Sequence, residues 1–259
     1  MKYNALSDVR TKFFCPYTMK CFKNLSKIAK LQYNRQNGLT IILMKVRTKI
    51  CGLTRPQDIQ SAVQAGVDAI GLVFYPPSPR AVNVEQAIDL VQYIPPYVQV
   101  VGLFVNATLD EIADVCRQVP IDILQFHGDE SPEQCQNIAQ KLSRRWYKAI
   151  QVKEGLDIIH EINQYKNAGA SAVLLDAYHP DLKGGTGHSF DWTTFPKADI
   201  PLILAGGLNP ENVADAIALT QPYAVDVSGG VEQAKGIKDS EKIQKFMDNV
   251  MNMDMKNVK

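Results

Sequence analysis

Short apolar runs alternate eight times with segments of helical period from residue 44 onward. The strand-like runs are Val46–Ile50, Ala69–Phe74, Val98–Val105, Asp122–Phe126, Tyr147–Ile150, Ala172–Leu175, Leu202–Ala205 and Ala224–Val227. Strands that alternate with helices predict parallel β-α-β units, and runs that are apolar at every position suit a sheet buried on both faces. The count of eight favours closure into an α/β, (β/α)₈ TIM barrel over the alternative, an open doubly wound sheet.

Several helix boundaries carry local signals. Good N-cap residues precede four of the predicted helices, namely Thr54, Thr108, Ser131 and Asn209, because their side chains can accept from free backbone N–H groups. Gly66 and Gly169 follow two predicted helices, where a left-handed residue is favoured. The pattern fails between Asp176 and Ile200, so we expect a shortened or displaced sixth helix and a functional loop there.

Charge divides the chain into two parts. Residues 1–43 hold eight basic residues against one acidic residue, a net charge of +7, whereas the remainder holds 20 basic against 26 acidic, a net charge of −6. This asymmetry predicts a single barrel domain at 44–259 with a basic N-terminal extension at 1–43. The extension shows no clear period, and we expect it to be disordered or to precede a true start at Met44.

Composition excludes several classes of protein. The acidic body argues against nucleic acid as a partner, and no apolar run approaches the roughly 20 residues of a membrane helix. The five cysteines are odd in number and irregular in spacing, which favours a reducing, cytoplasmic location and predicts neither a disulfide framework nor a metal site.

Three glycine clusters follow the last three predicted strands. They are Gly184-Gly185-Thr186-Gly187, Gly206-Gly207 and Ser228-Gly229-Gly230. Each alone is explained by a tight turn, but bare backbone N–H groups after strands seven and eight are typical of the phosphate position in this fold. Together they predict a phosphorylated substrate, with Gly185, Gly187, Gly206, Gly207, Ser228, Gly229 and Gly230 as binding residues.

Two strand ends carry residues suited to proton transfer. Cys51 ends the first strand and precedes a helix, whose N-terminus can lower a thiol pKa, although a small core residue is the ordinary role of a free cysteine. Asp176 ends an apolar run where a desolvated carboxyl group suits a general acid. Asp226 lies inside its run and is interpreted as a satisfied structural carboxylate, while Cys116 and Cys135 fall within helices and are interpreted as core.

Two further side chains are candidates for substrate binding. Arg80 follows the proline-rich Tyr75-Pro76-Pro77-Ser78-Pro79, where a planar guanidinium could bind a carboxylate bidentately or simply be solvated. His127 follows the fourth strand, where it could orient substrate, shuttle a proton or serve as hydrogen-bonded scaffolding.

An ordered set of motifs from Lys45 to about Met247 resembles the phosphoribosylanthranilate isomerase family. The resembling segments are Lys49-Ile50-Cys51-Gly52-Leu53-Thr54, Gly71-Leu72-Val73-Phe74-Tyr75, Ser78-Pro79-Arg80, Val101-Gly102-Leu103-Phe104-Val105-Asn106, Leu124-Gln125-Phe126-His127-Gly128, Leu175-Asp176-Ala177, Gly184-Gly185-Thr186-Gly187, Ala205-Gly206-Gly207-Leu208-Asn209-Pro210 and Val225-Asp226-Val227-Ser228-Gly229-Gly230-Val231-Glu232. Ala205 and Gly229 stand where many members carry serine, and both changes leave the backbone donors intact.

The resemblance implies an Amadori rearrangement of a phosphoribosyl anthranilate by general acid–base catalysis. Asp176 corresponds to the acid, Cys51 to the base, Arg80 to the binder of the anthranilate carboxylate, and the glycine loops to the phosphate cradle. It implies a small sugar-phosphate substrate and a monomer or homodimer. It also implies no metal and no organic cofactor, because the nitrogen of the substrate is the electron sink.

Related barrels are the competing interpretations. An indole-glycerol-phosphate synthase would be expected to present lysine and glutamate at strand ends, and a ribulose-phosphate epimerase would be expected to present a metal-binding histidine–aspartate set. The sequence presents neither arrangement. A non-catalytic phosphate-binding barrel is the alternative of a different class.

Overall fold

A computed structural model describes residues 45–153, 155–176 and 192–256, together with the backbone of Lys30–Asn34 and Gly38–Ile42. The chain divides into two compact units, one of Met1–Lys45 with Asp254–Lys259 and the other of Val46–Met253. In the first unit, Lys30–Asn34 and Gly38–Ile42 pair as an antiparallel hairpin that the sequence pattern does not predict. The division into an extension and a barrel domain at residue 44 stays a prediction.

The second unit is built on a closed parallel barrel. Its strands are β1 (Arg47–Cys51), β2 (Ala69–Val73), β3 (Gln99–Phe104), β4 (Ile123–Phe126), β5 (Arg145–Gln151), β6 (Ala172–Asp176), β7 (Leu202–Ala205) and β8 (Ala224–Val227). Each strand pairs with its neighbours in sequence order, and β8 closes the ring by pairing with β1. The predicted (β/α)₈ barrel is confirmed, and the open doubly wound sheet is excluded.

Helices follow most of the strands. They are α1 (Pro56–Gln64), α2 (Val84–Val91), α3 (Leu109–Gln118), α4 (Pro132–Leu142), α5 (Ile158–Asn167), α6 (Val213–Thr220) and α7 (Ser240–Lys256). After β6, the described residues contain a short 3₁₀ helix at Trp192–Thr194. Most of the segment in which a shortened or displaced sixth helix is expected, residues 177–191, lies outside the described residues. Within the described ranges, no helix is both long and apolar enough to cross a membrane.

The predicted helix signals at Thr108 and Ser131 are confirmed. Each side chain accepts a hydrogen bond from the third residue of its helix, whose own side chain accepts from the cap in return, and this reciprocal pairing is a capping box. Gly66 and Gly169 adopt φ angles of +86° and +92°, the left-handed conformation that glycine takes without steric cost.

Two predicted helix starts are wrong. The Thr54 hydroxyl donates to the carbonyl of Gly236 at 2.7 Å instead of capping α1. Helix α6 begins at Val213, because the side chain of Asn209 accepts from the backbone of Glu211 and Asn212 and so closes a turn before the helix. In both cases a hydrogen bond outside the helix competes with the cap.

Side chains along each strand point alternately outward and inward, and this divides the core into two layers. Outward residues such as Ile50, Ile70 and Leu204 are fully buried between the barrel and its helices. Inward residues such as Leu174 and Ile203 form a second apolar cluster inside the ring. Successive strand residues point to opposite faces, so Lys49 and Cys51 share the inner face of β1.

Candidate active site

The sequence-predicted site residues gather at the carboxyl ends of the strands. Cys51 and Asp176 end β1 and β6, Arg80 and His127 follow β2 and β4, and Ser228 follows β8. In barrels of this kind, that end carries the active site. Gly185 and Gly187 lie outside the described residues.

Cys51 is buried, with 6% of its surface exposed. Its backbone carbonyl accepts from the hydroxyl of Ser228 at 3.0 Å, which ties the end of β1 to the loop after β8. Burial raises the pKa of the Cys51 thiol, and the positive charge of Lys49 opposes that rise. Cys51 is therefore a neutral thiol in the resting structure, with a cation beside it that favours the thiolate.

A chain of hydrogen bonds leads to His127, which lies beside Asp176. The Tyr147 hydroxyl donates to Oε1 of Gln125 at 2.9 Å, which leaves the Gln125 amide nitrogen to face Nδ1 of His127 at 3.1 Å. This arrangement assigns the proton of a neutral His127 to Nε2, the atom that lies 3.5 Å from Oδ2 of Asp176. His127 thus turns its Nε2 toward the carboxyl group of Asp176.

Asp226 forms an ion pair inside the barrel. Its Oδ2 lies 2.8 Å from Nζ of Lys49, and both side chains are at most 7% exposed. Its Oδ1 is buried and has no hydrogen-bond partner among the described residues. The interpretation of Asp226 as a satisfied structural carboxylate therefore holds for Oδ2, which has a partner, but not for Oδ1.

Arg80 is fixed by a glutamate that lies far away in sequence. Its Nε and Nη2 donate to the two carboxylate oxygens of Glu232, each at 2.7 Å. Lys238, fully buried, donates to the same carboxylate at 2.8 Å and to the carbonyl of Ser228 at 3.1 Å. The plane of the guanidinium is therefore set by a bidentate ion pair before any substrate arrives.

Two glycines leave room for Arg80. A Cβ on Gly52, which has a φ of +74°, would stand 2.5 Å from Cδ of Arg80, and a Cβ on Gly229 would stand 3.3 Å from Nη2. Arg80 therefore lies between the loops after β1 and β8, near Cys51.

The glycine loops after β7 and β8 touch each other. A Cβ on Gly230 would stand 1.8 Å from the carbonyl oxygen of Leu208, so only glycine permits this approach of two backbones. Gly206 and Gly207 have φ angles of +87° and +65°, and the space beside Gly207 is open. Such adjoining loops expose backbone N–H groups in the manner of an anion-binding site.

Sequence reasoning missed the residues that support the site. They are Lys49, Gln125, Tyr147, Glu232 and Lys238. A lysine or glutamine inside an apolar strand is itself a signal, because such groups are rarely buried without a partner. Which partner each would find depends on barrel closure and is not visible in the sequence.

Comparison with known proteins gives one consistent family. Residues 48–249 match the model of the N-(5'phosphoribosyl)anthranilate (PRA) isomerase family. An N-(5'-phosphoribosyl)anthranilate isomerase of Acinetobacter calcoaceticus is 68% identical over 207 residues, which are 80% of this chain and 97% of that protein.

Solved structures agree with this result. The phosphoribosyl anthranilate isomerase of Thermotoga maritima superposes with a TM-score of 0.73 at 41% identity, over 80% of this chain and 99% of that one. A phosphoribosyl anthranilate isomerase in complex with reduced 1-(o-carboxyphenylamino)-1-deoxyribulose 5-phosphate gives a TM-score of 0.69 at 38% identity, with the same coverage. The chain belongs to the phosphoribosylanthranilate isomerase family.

Proposed function

We propose that Cys51 and Asp176 are the general base and the general acid of an aldose–ketose isomerisation. As a member of its family, the chain converts N-(5'-phosphoribosyl)anthranilate to 1-(2-carboxyphenylamino)-1-deoxy-D-ribulose 5-phosphate, a step of tryptophan biosynthesis. The assignment of the two residues rests on their positions at the same end of the barrel, on strands β1 and β6.

The reaction needs one proton donor and one proton acceptor. Asp176 gives its proton to the ring oxygen of the ribose as the C1′–O bond breaks, and the anthranilate nitrogen supplies the electron pair that forms the protonated Schiff base. The thiolate of Cys51 then removes the C2′ proton, and the electrons of that bond return through C1′ to nitrogen. The resulting enolamine tautomerises to the ketone, so no electrons leave or enter the substrate.

The charged ends of the substrate have separate partners in this proposal. Arg80, its plane set by Glu232, binds the anthranilate carboxylate. Backbone N–H groups of Gly206, Gly207, Ser228, Gly229 and Gly230 bind the phosphate, and the proposal includes Gly185 and Gly187 in the same cradle. His127 lies beside Asp176 and contacts the ribose.

The observation that carries the proposal is the arrangement of side chains around one barrel mouth. A thiol with a cation near it, a carboxyl group with a histidine beside it, and a fixed guanidinium all lie at or just after the carboxyl ends of the strands. A ribose held by its two charged ends would lie between the thiol and the carboxyl group, which is the geometry that acid–base catalysis requires. A non-catalytic phosphate-binding barrel would not need the thiol or the carboxyl group.

The wider setting of the enzyme also stays a proposal. We propose that it acts in the cytoplasm as a monomer or homodimer without nucleic acid. Light scattering of the purified chain would test the oligomeric state, and a species larger than a dimer would contradict it.

Substitution of the two residues tests their roles. Cys51→Ala and Asp176→Asn should each lower kcat/KM by about 10²- to 10⁴-fold, the usual contribution of a positioned acid or base. The loss of phosphoribosylanthranilate fluorescence measures the rate. Cys116→Ala, at a half-buried position in helix α3, is the matched control and should keep the wild-type rate. Full turnover by both site variants would overturn the assignment.

A further inference from the structure

Burial places Cys51 in a setting that disfavours the thiolate on which its proposed role depends. A thiol acts as a base only as the thiolate, and desolvation penalises the charged form. The sequence interpretation relied on the nearby helix N-terminus, but the structure adds a full positive charge near the sulfur. That charge is the ammonium of Lys49, two residues earlier on β1.

Three side chains surround the Lys49 ammonium. Nζ of Lys49 lies 2.8 Å from Oδ2 of Asp226, and the Tyr147 hydroxyl and the Cys51 thiol lie near enough to interact with its charge. Burial alone would lower the pKa of Lys49, but the charge of Asp226 and the neighbouring thiol and phenol outweigh it and raise that pKa. Lys49 therefore stays charged throughout the range in which the enzyme works.

The absence of a side chain on β2 permits the contact. Gly71 pairs with Cys51 in the barrel. A Cβ on Gly71 would stand 2.8 Å from Sγ of Cys51 and 3.0 Å from both Cε and Nζ of Lys49. The sulfur and the ammonium thus pack together over the bare backbone of Gly71, and any larger residue there would push them away.

We propose that Lys49 is a positioning residue for Cys51, and that its ammonium, held by Asp226 and accommodated by Gly71, stabilises the thiolate that removes the C2′ proton. This inference rests on the proposed role of Cys51 as the base. The other charged groups around the pair are Lys238, which also favours the thiolate, and Asp226, which disfavours it. Two more groups face Asp226: the charge of His127 lowers the pKa of Asp226, and the charge of Asp176 raises it.

The first test removes the charge of Lys49 and measures the titration of the Cys51 sulfur directly. The ultraviolet absorbance of the thiolate is titrated, and the spectrum of Cys51→Ser is subtracted to isolate Cys51. Lys49→Met should move the Cys51 titration to higher pH, and kcat/KM near neutral pH should fall about tenfold for every pH unit that the midpoint rises. Because Lys49→Met leaves Asp226 buried without its cation, Lys49→Met/Asp226→Asn provides a neutral pair if the single variant does not fold. Its Cys51 titration is compared with that of Asp226→Asn alone, because Asp226 itself disfavours the thiolate.

The second test adds a methyl group at Gly71, which crowds the contact between Lys49 and Cys51 without changing any charge. Gly71→Ala should also move the Cys51 titration to higher pH by displacing Lys49 from the sulfur. Gly102→Ala is the matched control on β3, because its Cβ would be equally crowded, at 2.9 Å, but by the ring of Phe104. It should leave the titration unchanged. Lys148→Met/Glu130→Gln, which removes another buried ion pair of the barrel, should leave it unchanged as well.

The outcomes separate this inference from the proposed function. An unchanged Cys51 titration in Gly71→Ala, together with equal titrations in the neutral-pair variant and in Asp226→Asn alone, would overturn the role of Lys49, whatever the activity of Cys51→Ala. A displaced titration without loss of kcat/KM would support the contact between Lys49 and Cys51 but contradict Cys51 as the base.

Discussion

Arg80 shows how a surface-loop residue acquires a fixed direction. The sequence places it after a stiff proline-rich loop, but the loop alone does not orient a long side chain. Both oxygens of Glu232 accept from its guanidinium, and the buried Lys238 balances the charge of the glutamate. Burial alone would raise the pKa of Glu232, but its bonds to Arg80 and Lys238 outweigh that effect and lower it. Glu232 is therefore ionised at neutral pH and keeps the ion pair intact.

Glu232→Gln should weaken substrate binding more than chemistry. Hydrogen bonds to charged groups contribute roughly 1.5–3 kcal/mol, so loss of the bidentate pair should raise KM about tenfold or more while kcat changes less. Steady-state kinetics measures both constants. Glu211→Gln is the control, because its pair with Lys245 is exposed at the surface. A variant with unchanged KM would show that Glu232 does not position Arg80.

At the scale of single residues, the sequence predicts the residues that end the strands but not the side chains that hold them in place. Cys51 and Asp176 are predictable because a predicted strand ends at each of them. Lys49 and Tyr147 are not, because a strand buried on both faces has no polar side to reveal which residues point inward. The pair of Lys49 with Asp226 joins β1 to β8 and exists only after the ring has closed, whereas the bond of Tyr147 to Gln125 depends on the pairing of β5 with β4.

The loops after β7 and β8 act as one element. Gly230 lets the 3₁₀ helix at Gly229–Val231 rest on the carbonyl of Leu208. The side chain of Asn212 also donates to the carbonyl of Gly207 at 2.9 Å, which braces the first loop from the start of α6. The predicted clustering of glycines is explained by close backbone approach as well as by the phosphate that the two loops are proposed to bind.

Gly230→Ala should disturb this element in particular. Because its Cβ would overlap the Leu208 carbonyl, the loops must separate, at a cost of about 1–3 kcal/mol in the free energy of unfolding. Inorganic phosphate should then inhibit about tenfold more weakly, as measured by competition against the substrate. Gly169→Ala strains a left-handed residue in open space after α5 and should lose stability without changing phosphate inhibition. Equal phosphate inhibition in both variants would argue against the cradle.

Helix boundaries were predictable only where the cap residue has no competing partner. Thr108 and Ser131 each find a reciprocal partner three residues along, so local sequence decides the geometry. Thr54 instead bonds to Gly236, a residue that no local pattern associates with it. A tertiary contact therefore accounts for the misplaced start of α1, and a local turn at Asn209 accounts for that of α6.

The barrel unit is built from eight strands, most of them followed by a helix. That count predicted the closed ring, since parallel strands buried on both faces need cover inside and outside. The charge boundary near residue 44 is close to the edge of the family match, which begins at residue 48. The barrel unit at Val46–Met253 therefore contains the candidate site residues described above.

Removal of residues 1–43 should leave catalysis intact. The relative from Acinetobacter matches over 80% of this chain and over 97% of its own length, so the matched part accounts for nearly all of that enzyme. We expect kcat/KM within about twofold of the full chain, because the residues proposed for chemistry and binding all follow the deletion. A soluble, folded truncated protein with a large loss of kcat/KM would assign residues 1–43 a part in function.

The central claim is that Cys51 removes a proton as a thiolate while Asp176 supplies one. The most direct test is the pH dependence of the residual kcat/KM of Asp176→Asn, in which the acid no longer titrates. Burial keeps the pKa of Cys51 above the ordinary thiol value of about 8.5. The thiolate fraction therefore grows with pH, and the residual rate should rise about tenfold per pH unit between about pH 7 and 8.5. A flat or falling profile, or the same rise in Asp176→Asn/Cys51→Ser, would contradict it.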